Sequence, residues 1–186
     1  MTDPAFPAAP AAGYYSLRAS EWLAIFQRDA AARDARRALR QASGLCDEDL
    51  LESLRRIGMT PAALPALDLA PAILVGWADG SMSRLELDRL RALAVIRAGI
   101  TESHAAWALV QQWVIRRPSP EDERVLLDAL VARLERLPVR KRLRRRLAIL
   151  RDCDAVARAS GRVLGGPKVC RDERKAIADV EARLAG

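Results

Sequence analysis

The sequence predicts an all-α fold, a compact bundle of about seven to eight helices with a weak internal pseudo-two-fold repeat. The chain has 186 residues and is 51% hydrophobic, so it can bury a sizeable core as one domain. Ala, Leu, Arg and Glu, which favour helices, are abundant, whereas the aromatic residues that favour strands make up only 4%. Glycines, prolines and capping residues separate segments whose apolar residues follow helical spacing.

The N-terminal part of the chain predicts a tail and two helices. Residues 1–16 are rich in proline and alanine and are expected to form a flexible tail. The first helix is expected to begin at the N-cap Ser20 and to end near Gly44. The second, shorter helix is expected to begin after the N-cap Asp47 and to end at Gly58.

A nearly continuously apolar helix is expected over residues 67–78, after a short turn or helix that begins at Thr60-Pro61. A helix without a polar face belongs in the middle of a fold. Gly99 is expected to end the helix that follows, and Thr101 to cap the next one. The remaining helices are expected over residues 85–98, from the cap Thr101 to Pro118, from Ser119-Pro120 to about residue 137, and over 139–163 and 172–184.

This order of helices predicts three segments along the chain. Residues 1–16 are the tail, residues 17–66 are an N-terminal helical extension, and residues 67–186 are the main helical domain. The extension and the main domain are expected to fold together as one compact unit.

The turn after the apolar helix carries the most specific motif. Gly80 is expected to adopt a positive φ, because a left-handed residue commonly ends a helix. Ser83 and Glu86 are spaced as a capping box, in which the serine caps the next helix and the glutamate bonds back to the Ser83 N–H. Asp79 has two interpretations: its carboxylate bonds to an N–H of the turn, or it helps to hold a cation.

The same pattern returns later in the chain as a weak internal repeat, which predicts pseudo-two-fold packing of helical hairpins. The matching pairs are residues 75–80 with 156–161 and residues 83–86 with 170–173. The second copy has Ser160 at the position of Asp79, and its longer turn contains the basic insertion Gly165-Gly166-Pro167-Lys168. The second turn has therefore lost a carboxylate and gained a cation.

These motifs, the run Leu74 to Leu90 and its shorter echo at 156–161 and 172–174, resemble the signature of the TerB-like family of helical proteins. The resemblance covers the chain from about Leu67 to the C-terminus. It implies an all-α fold of paired helical hairpins and a non-enzymatic interaction or scaffold role, in a stress response. It also implies candidate ligands for a divalent cation among the acidic residues around the turn, namely Asp79, Glu86 and Asp88; no other cofactor is expected.

A strongly basic helix is the second candidate site. Seven cations and no acidic residue lie between Val139 and Arg151, and this number equals the net charge of +7 for the whole chain. Val139, Leu143, Leu147 and Leu150 share one helix face, and the cations occupy the rest. The cations are either solvated or paired with an acidic helix such as 121–135, or they bind nucleic acid or an anionic membrane surface. The candidate anion-binding residues are Arg140, Lys141, Arg142, Arg144, Arg145 and Arg146.

The rest of the sequence argues against other classes. It contains no nucleophile elbow, phosphate-binding loop or zinc-protease motif, so the protein is expected not to be an enzyme. As an interaction module it is expected to bind another protein. The sole histidine, His104, is expected inside a helix, and Cys46, Cys153 and Cys170 are expected as small buried residues. No apolar run is long enough for a transmembrane helix and no signal peptide is recognised, which predicts a cytoplasmic protein.

Overall fold

The computed structural model describes residues 12–160 and 169–185, and this part of the chain is all-helical. The prediction of an all-α fold is therefore confirmed. The described residues form eight α-helices and one 3₁₀ helix. Their bounds are α1 Ala12–Ser43, α2 Glu48–Arg56, the 3₁₀ helix Pro61–Asp68, α3 Ala70–Gly76, α4 Arg84–Ala98, α5 Ala105–Ile115, α6 Pro120–Glu135, α7 Val139–Ser160 and α8 Arg171–Ala185.

Helix α1 begins earlier than the sequence predicts. It starts at Ala12, whereas the cap was expected at Ser20, so residues 12–16 are helical and not part of a tail. The chain contains no proline between Pro10 and the end of α1, and alanine, arginine and leucine favour helix throughout that stretch. The part of the predicted tail before Ala12, and the predicted turn insertion 165–168, lie outside the described residues.

Prolines begin the two short elements in the middle of the chain. The predicted turn or helix from Thr60-Pro61 is the 3₁₀ helix, and the apolar helix expected over 67–78 is the shorter α3. Pro61 begins the 3₁₀ helix and Pro65 lies inside it, and Pro71 falls in the first turn of α3. A proline inside an α-helix removes an N–H donor and clashes with the preceding turn, so a tight 3₁₀ segment replaces the α-helix there. Beyond Pro71 no proline remains before α3 ends, and the chain is α-helical.

Helix α3 is the centre of the core. All seven of its residues are buried, as its apolar sequence predicts, and it packs against α7, α8, α6 and the 3₁₀ helix. Gly76 lets α3 lie close to the Met82 side chain and to Val156 of α7. A Cβ at this position would lie 3.1 Å from Met82 Cε and 3.4 Å from Val156 Cγ1. A larger residue at this position would push α3 away from α7.

The N-terminal helices contribute to the same core. Leu39 of α1 and Leu51 and Leu54 of α2 are buried and belong to one cluster with Ile73 of α3 and Val156 of α7. Full burial of a leucine side chain stabilises a fold by about 1.5–3 kcal/mol. Residues 19–31 of α1 do not share in this burial.

The helix ends follow the predicted capping residues except at Ser20, which lies inside α1, and at Thr101. Asp47, Thr60, Ser83 and Ser119 accept hydrogen bonds from the first turns of their helices, and Gly44, Gly58, Gly80 and Gly99 have positive φ. The expected cap at Thr101 and the expected place of His104 inside a helix are wrong. His104 is itself the N-cap of α5, and its Nδ1 accepts from the Ala106 N–H at 3.1 Å. A ring nitrogen can thus replace a serine oxygen as the acceptor.

Candidate functional site

The Asp79 carboxylate belongs to the turn between α3 and α4. Its Oδ1 accepts a hydrogen bond from the Ser81 N–H at 3.0 Å and lies 3.3 Å from the Ser81 hydroxyl, and the side chain is on an exposed part of the turn. Gly80 follows with φ of 90°, as expected for the residue that reverses the chain. Of the two interpretations of Asp79, the bond to a turn N–H is the one observed.

Ser83 and Glu86 form the predicted capping box. The Ser83 N–H donates to Glu86 Oε2 at 2.7 Å, and the Glu86 N–H donates to Ser83 Oγ at 3.3 Å. The Glu86 side chain is nevertheless buried, with 2% of the residue exposed, and its Oε1 has no hydrogen-bond partner within the described part of the chain. The capping box of α4 therefore places the Glu86 carboxylate in the core.

The second copy of the motif forms a cap of the same kind with different chemistry. The Cys170 N–H donates to Glu173 Oε2 at 2.6 Å, and the Glu173 N–H donates to Cys170 Sγ at 3.3 Å. Glu173 is buried to the same degree as Glu86. In the internal repeat, Cys170 corresponds to Ser83, and this correspondence was the signal in the sequence for the second cap. The thiol was not predicted to serve as the acceptor.

The other two cysteines differ in exposure. Cys153 is buried as predicted, and burial raises the pKa of its thiol to about 12. Cys46 is exposed, so the prediction of a buried residue is wrong there. It follows the end of α1 in a loop where no neighbouring helix covers it. All three cysteines are free thiols.

Electrostatics at the turn are dominated by buried negative charge. Burial raises the pKa of Glu86 above its ordinary value, and hydrogen bonds from Ser83 partly oppose this effect. The carboxylates of Glu173 and Asp79 raise the pKa of Glu86 further, because like charges disfavour its ionised form. The acidic groups of the two capping boxes and of the first turn thus act on one another.

The geometry does not support the predicted divalent-cation site at Asp79, Glu86 and Asp88. Asp79 already accepts from Ser81, and Asp88 is exposed on α4, where it pairs with Arg91 at 3.5 Å. Residues 12–160 and 169–185 contain no group of three or more His, Cys, Asp or Glu side chains that could hold a metal ion. The described residues around this turn are therefore not gathered into such a group, and the divalent-cation site stays a prediction. Their capping role accounts for Gly80, Ser83 and Glu86.

The basic helix α7 divides its cations between the protein and the solvent. Arg145 forms an ion pair with Asp68 at the end of the 3₁₀ helix, and Arg146 Nη1 donates to the Ala185 carbonyl at 3.4 Å. Arg142 is half-buried. Of the six predicted anion-binding residues, these three face the body of the molecule. The three that are exposed are Arg140, Lys141 and Arg144, and Arg151 is exposed beside them.

The apolar face of α7 divides in the same way. Leu150 packs partly against the core, and Ile149 and Cys153 are buried there. The other residues of the predicted apolar face are solvent-exposed instead: Val139 by 69%, Leu143 by 57% and Leu147 by 47%. The first half of α7 thus shows solvent a mixed surface of aliphatic and cationic side chains. We call the exposed residues Val139, Leu143 and Leu147 the apolar row.

No acidic helix in the described part of the chain forms an ion pair with the exposed cations of α7. Within the described ranges, no ion pair joins α6 to α7: Glu123 of α6 pairs with Arg117 at 2.8 Å, and Asp128 pairs with Arg183 of α8. Arg140, Lys141, Arg144 and Arg151 form no ion pair with any described residue. Of the cations between Val139 and Arg151, Arg145 is the one that pairs with an acidic residue of the described chain.

A third surface, in the first half of α1, was not predicted from the sequence. Every residue from Ala19 to Ala31 is exposed except the half-buried Ala24. This stretch contains four large apolar side chains that are 43–62% exposed, and the rings of Trp22 and Phe26 lie 6.4 Å apart. The signal in the sequence was that four apolar residues in five positions form one broad apolar helix face. We call Trp22, Leu23, Ile25 and Phe26 the α1 apolar segment.

Comparisons of the chain with protein-family models, with curated proteins and with solved structures find no match. The resemblance to the TerB-like family therefore stays a prediction that rests on the sequence motifs. The pseudo-two-fold repeat likewise stays a prediction, supported by the two corresponding capping boxes.

Proposed function

We propose that the chain is a non-enzymatic helical interaction module and that the α1 apolar segment binds a protein partner. The supporting observation is the exposure of Trp22 and Phe26, by 59% and 62%, on a stretch of α1 that no other described helix covers. Contiguous apolar patches of this kind mark interaction sites on soluble proteins. Aromatic residues are also the side chains that contribute most to binding at protein interfaces.

The shape of this segment favours docking of a helix into an apolar groove. Residues 19–31 of α1 are exposed except for the half-buried Ala24, while the second half of the helix is fixed by Leu39 in the core and by an ion pair of Arg36 with Glu52 at 3.7 Å. A helix held rigidly at one end loses little conformational freedom when its other end binds. Anchors at Trp22 and Phe26, one turn apart, match the spacing of helix-in-groove recognition.

The test is site-specific photocrosslinking in cells, with the reactive residue placed at Leu23, followed by binding measurements with the purified crosslinked protein. We expect Trp22→Ser combined with Phe26→Ser to weaken binding by at least about tenfold, because hot-spot aromatics each contribute about 2 kcal/mol or more. A matched control is Ile96→Ser with Ile115→Ser, since both isoleucines are exposed elsewhere and should leave affinity unchanged. No crosslinked species at Leu23, or equal affinity of both double variants, would remove this proposal.

A second candidate function is binding of an anionic surface through α7. It is favoured by the four exposed cations Arg140, Lys141, Arg144 and Arg151, which have no ion-pair partner in the described chain. Such cations bind phosphates through counterion release, or anionic headgroups by about 1 kcal/mol each. The test is retention on heparin, with Arg140→Gln and Arg144→Gln expected to elute at lower salt. The matched controls are Arg89→Gln and Arg116→Gln, which remove one exposed arginine from α4 and one just after α5.

A further inference from the structure

We infer that the solvent face of α7 binds the surface of an anionic lipid bilayer, with the apolar row placed among the lipid headgroups. This inference rests on the second candidate function, because it names the partner of the same cations. It is carried by the position of exposed aliphatic side chains directly beside unpaired cations on one helix.

The two kinds of side chain form parallel rows. Val139, Leu143 and Leu147 follow one another at intervals of four residues, and Arg140 and Arg144 follow the same interval one residue later. Arg151 extends the cationic row by about two further turns. Residues three or four apart are neighbours on a helix surface. Leu143 is three residues from Arg140, and Leu147 is three residues from Arg144 and four from Arg151. The aliphatic row therefore has a cationic row along its side.

The opposite face of α7 holds the helix on the protein. Ile149 and Cys153 lie in the core, Arg145 pairs with Asp68, and Asp152 pairs with Arg97 of α4 at 3.2 Å. These contacts leave the two rows facing away from the body. The helix can therefore lie flat in the plane of a bilayer surface without any refolding. No helix in the described ranges is long and apolar enough to cross a membrane.

The apolar row distinguishes a lipid surface from nucleic acid. A phosphate backbone attracts the cations but gives exposed aliphatic side chains no apolar environment. Single-stranded nucleic acid is bound by stacking on aromatic side chains, and α7 contains none. A bilayer surface satisfies both rows, because the cations meet anionic headgroups while the aliphatic side chains reach the acyl boundary.

The experiment measures binding of the purified full chain to vesicles by co-sedimentation. The vesicles are phosphatidylcholine alone, or phosphatidylcholine with about one-third phosphatidylserine. We expect binding to the anionic vesicles at least about tenfold tighter, and weaker at higher salt because the headgroup attraction is screened. Leu143→Ser with Leu147→Ser, and separately Arg140→Gln with Arg144→Gln, should each lower the affinity by about tenfold or more. Ile96→Ser with Ile115→Ser, Arg89→Gln with Arg116→Gln, and Trp22→Ser with Phe26→Ser should not.

The outcomes separate the lipid inference from the function on which it rests. Binding to duplex DNA or heparin that is lost in the Arg140/Arg144 variant, without binding to vesicles, would overturn the lipid inference and leave anion binding intact. Vesicle affinity that is unchanged in the Leu143/Leu147 variant, or lost in the Trp22/Phe26 variant, would also overturn it. No binding to vesicles, DNA or heparin would overturn both. Circular dichroism verifies that each variant is folded. If the Leu143/Leu147 variant fails to fold, Leu143→Gln alone takes its place.

Discussion

Glu86 and Glu173 illustrate how a helix cap can bring a carboxylate into the core. Each glutamate accepts a hydrogen bond from the N–H of its own cap residue, at 2.7 Å for Glu86 and 2.6 Å for Glu173. These bonds satisfy N–H groups that would otherwise lack partners at the starts of α4 and α8. The same placement buries both carboxylates, and for Glu86 this burial disfavours the ionised form. Cap geometry and charge therefore oppose each other at Glu86.

Glu86→Gln is expected to stabilise the protein at neutral pH. The pKa of Glu86 is raised by burial above its ordinary value of 4.5, so its stabilising contribution is full below that value and is lost as pH rises through the native pKa. Glutamine resembles the protonated form and can still accept from the Ser83 N–H. Urea unfolding at a series of pH values should show the variant more stable than wild type near pH 7, with the difference shrinking towards pH 4. A variant less stable than wild type at all pH values would contradict this prediction.

Glu52 is expected to show the opposite pH dependence of stability in the same urea-unfolding experiment. Its pKa is lowered to about 2, chiefly by a hydrogen bond from Arg55. Burial opposes this effect, and the charges of Arg55, Arg36 and Arg56 lower the pKa further. Its contribution to stability is present above its ordinary pKa of 4.5 and is lost as pH falls through about 2. Glu52→Gln should therefore unfold at lower urea than wild type at pH 7 and at equal urea in strong acid. A loss of stability that does not diminish in acid would assign Glu52 a role other than ion pairing.

Cap residues could be predicted from the sequence, whereas the metal set could not. Ser83, Gly80 and Glu86 act on groups within three residues, so local chemistry determines their bonds. A metal site requires side chains from separate segments to converge, and their convergence depends on tertiary packing. Asp88 illustrates the difference: it lies on the helix capped by Ser83, but its side chain faces Arg91 in solvent.

At the scale of the helix, α7 shows that apolar periodicity identifies a helix face but does not tell whether neighbouring helices cover it. The apolar spacing of Val139, Leu143, Leu147 and Leu150 identified one face correctly, yet only Leu150 packs against the core. Which face is covered depends on the neighbouring helices, and the covered side of the first half of α7 contains Arg145 and Arg146. The long aliphatic stems of arginine can pack on a protein while their charged ends reach acceptors at its edge.

The Arg145–Asp68 ion pair is expected to help fix this orientation of α7. Both side chains are partly shielded, with 38% and 17% exposed, and the pair joins α7 to the 3₁₀ helix across the fold. A double-mutant cycle with Arg145→Gln and Asp68→Asn, followed by urea unfolding, should give a coupling free energy of about 1 kcal/mol. A parallel cycle on the exposed pair of Arg91 and Asp88 should give less, since solvent screens both charges. Equal coupling in the two cycles would mean that the Arg145 pair does not orient α7.

At the scale of the whole molecule, composition predicted the helical class and the apolar sequence of α3 predicted its central position. The extent of burial along α1 could not be predicted in the same way. Its sequence is helical throughout, but only the second half meets α2 and the 3₁₀ helix, beginning near Arg36 and Leu39. Long helices pass beyond the body of a fold wherever no partner element is available, and no local pattern marks that point.

Two truncations are expected to separate binding from folding in α1. Removing residues 1–31 deletes the α1 apolar segment but no buried side chain of the described chain, so the free energy of unfolding should change by about 1 kcal/mol or less. Removing residues 1–59 also deletes Leu39, Leu45, Leu51, Leu54 and Met59, which are all buried. At about 1.5–3 kcal/mol for each large side chain, this loss matches the entire stability of an ordinary domain.

The shorter truncation should therefore unfold cooperatively in urea, keep vesicle binding through α7 and lose the protein partner. The longer truncation should lack a cooperative transition, as measured by circular dichroism, because the uncovered faces of the 3₁₀ helix and α6 have no replacement for α1 and α2. A folded 60–186 fragment would instead show that the N-terminal extension is a separate unit added to an independent domain. In that case the α1 apolar segment would have to be studied as part of a movable arm, and not as a helix fixed to the core.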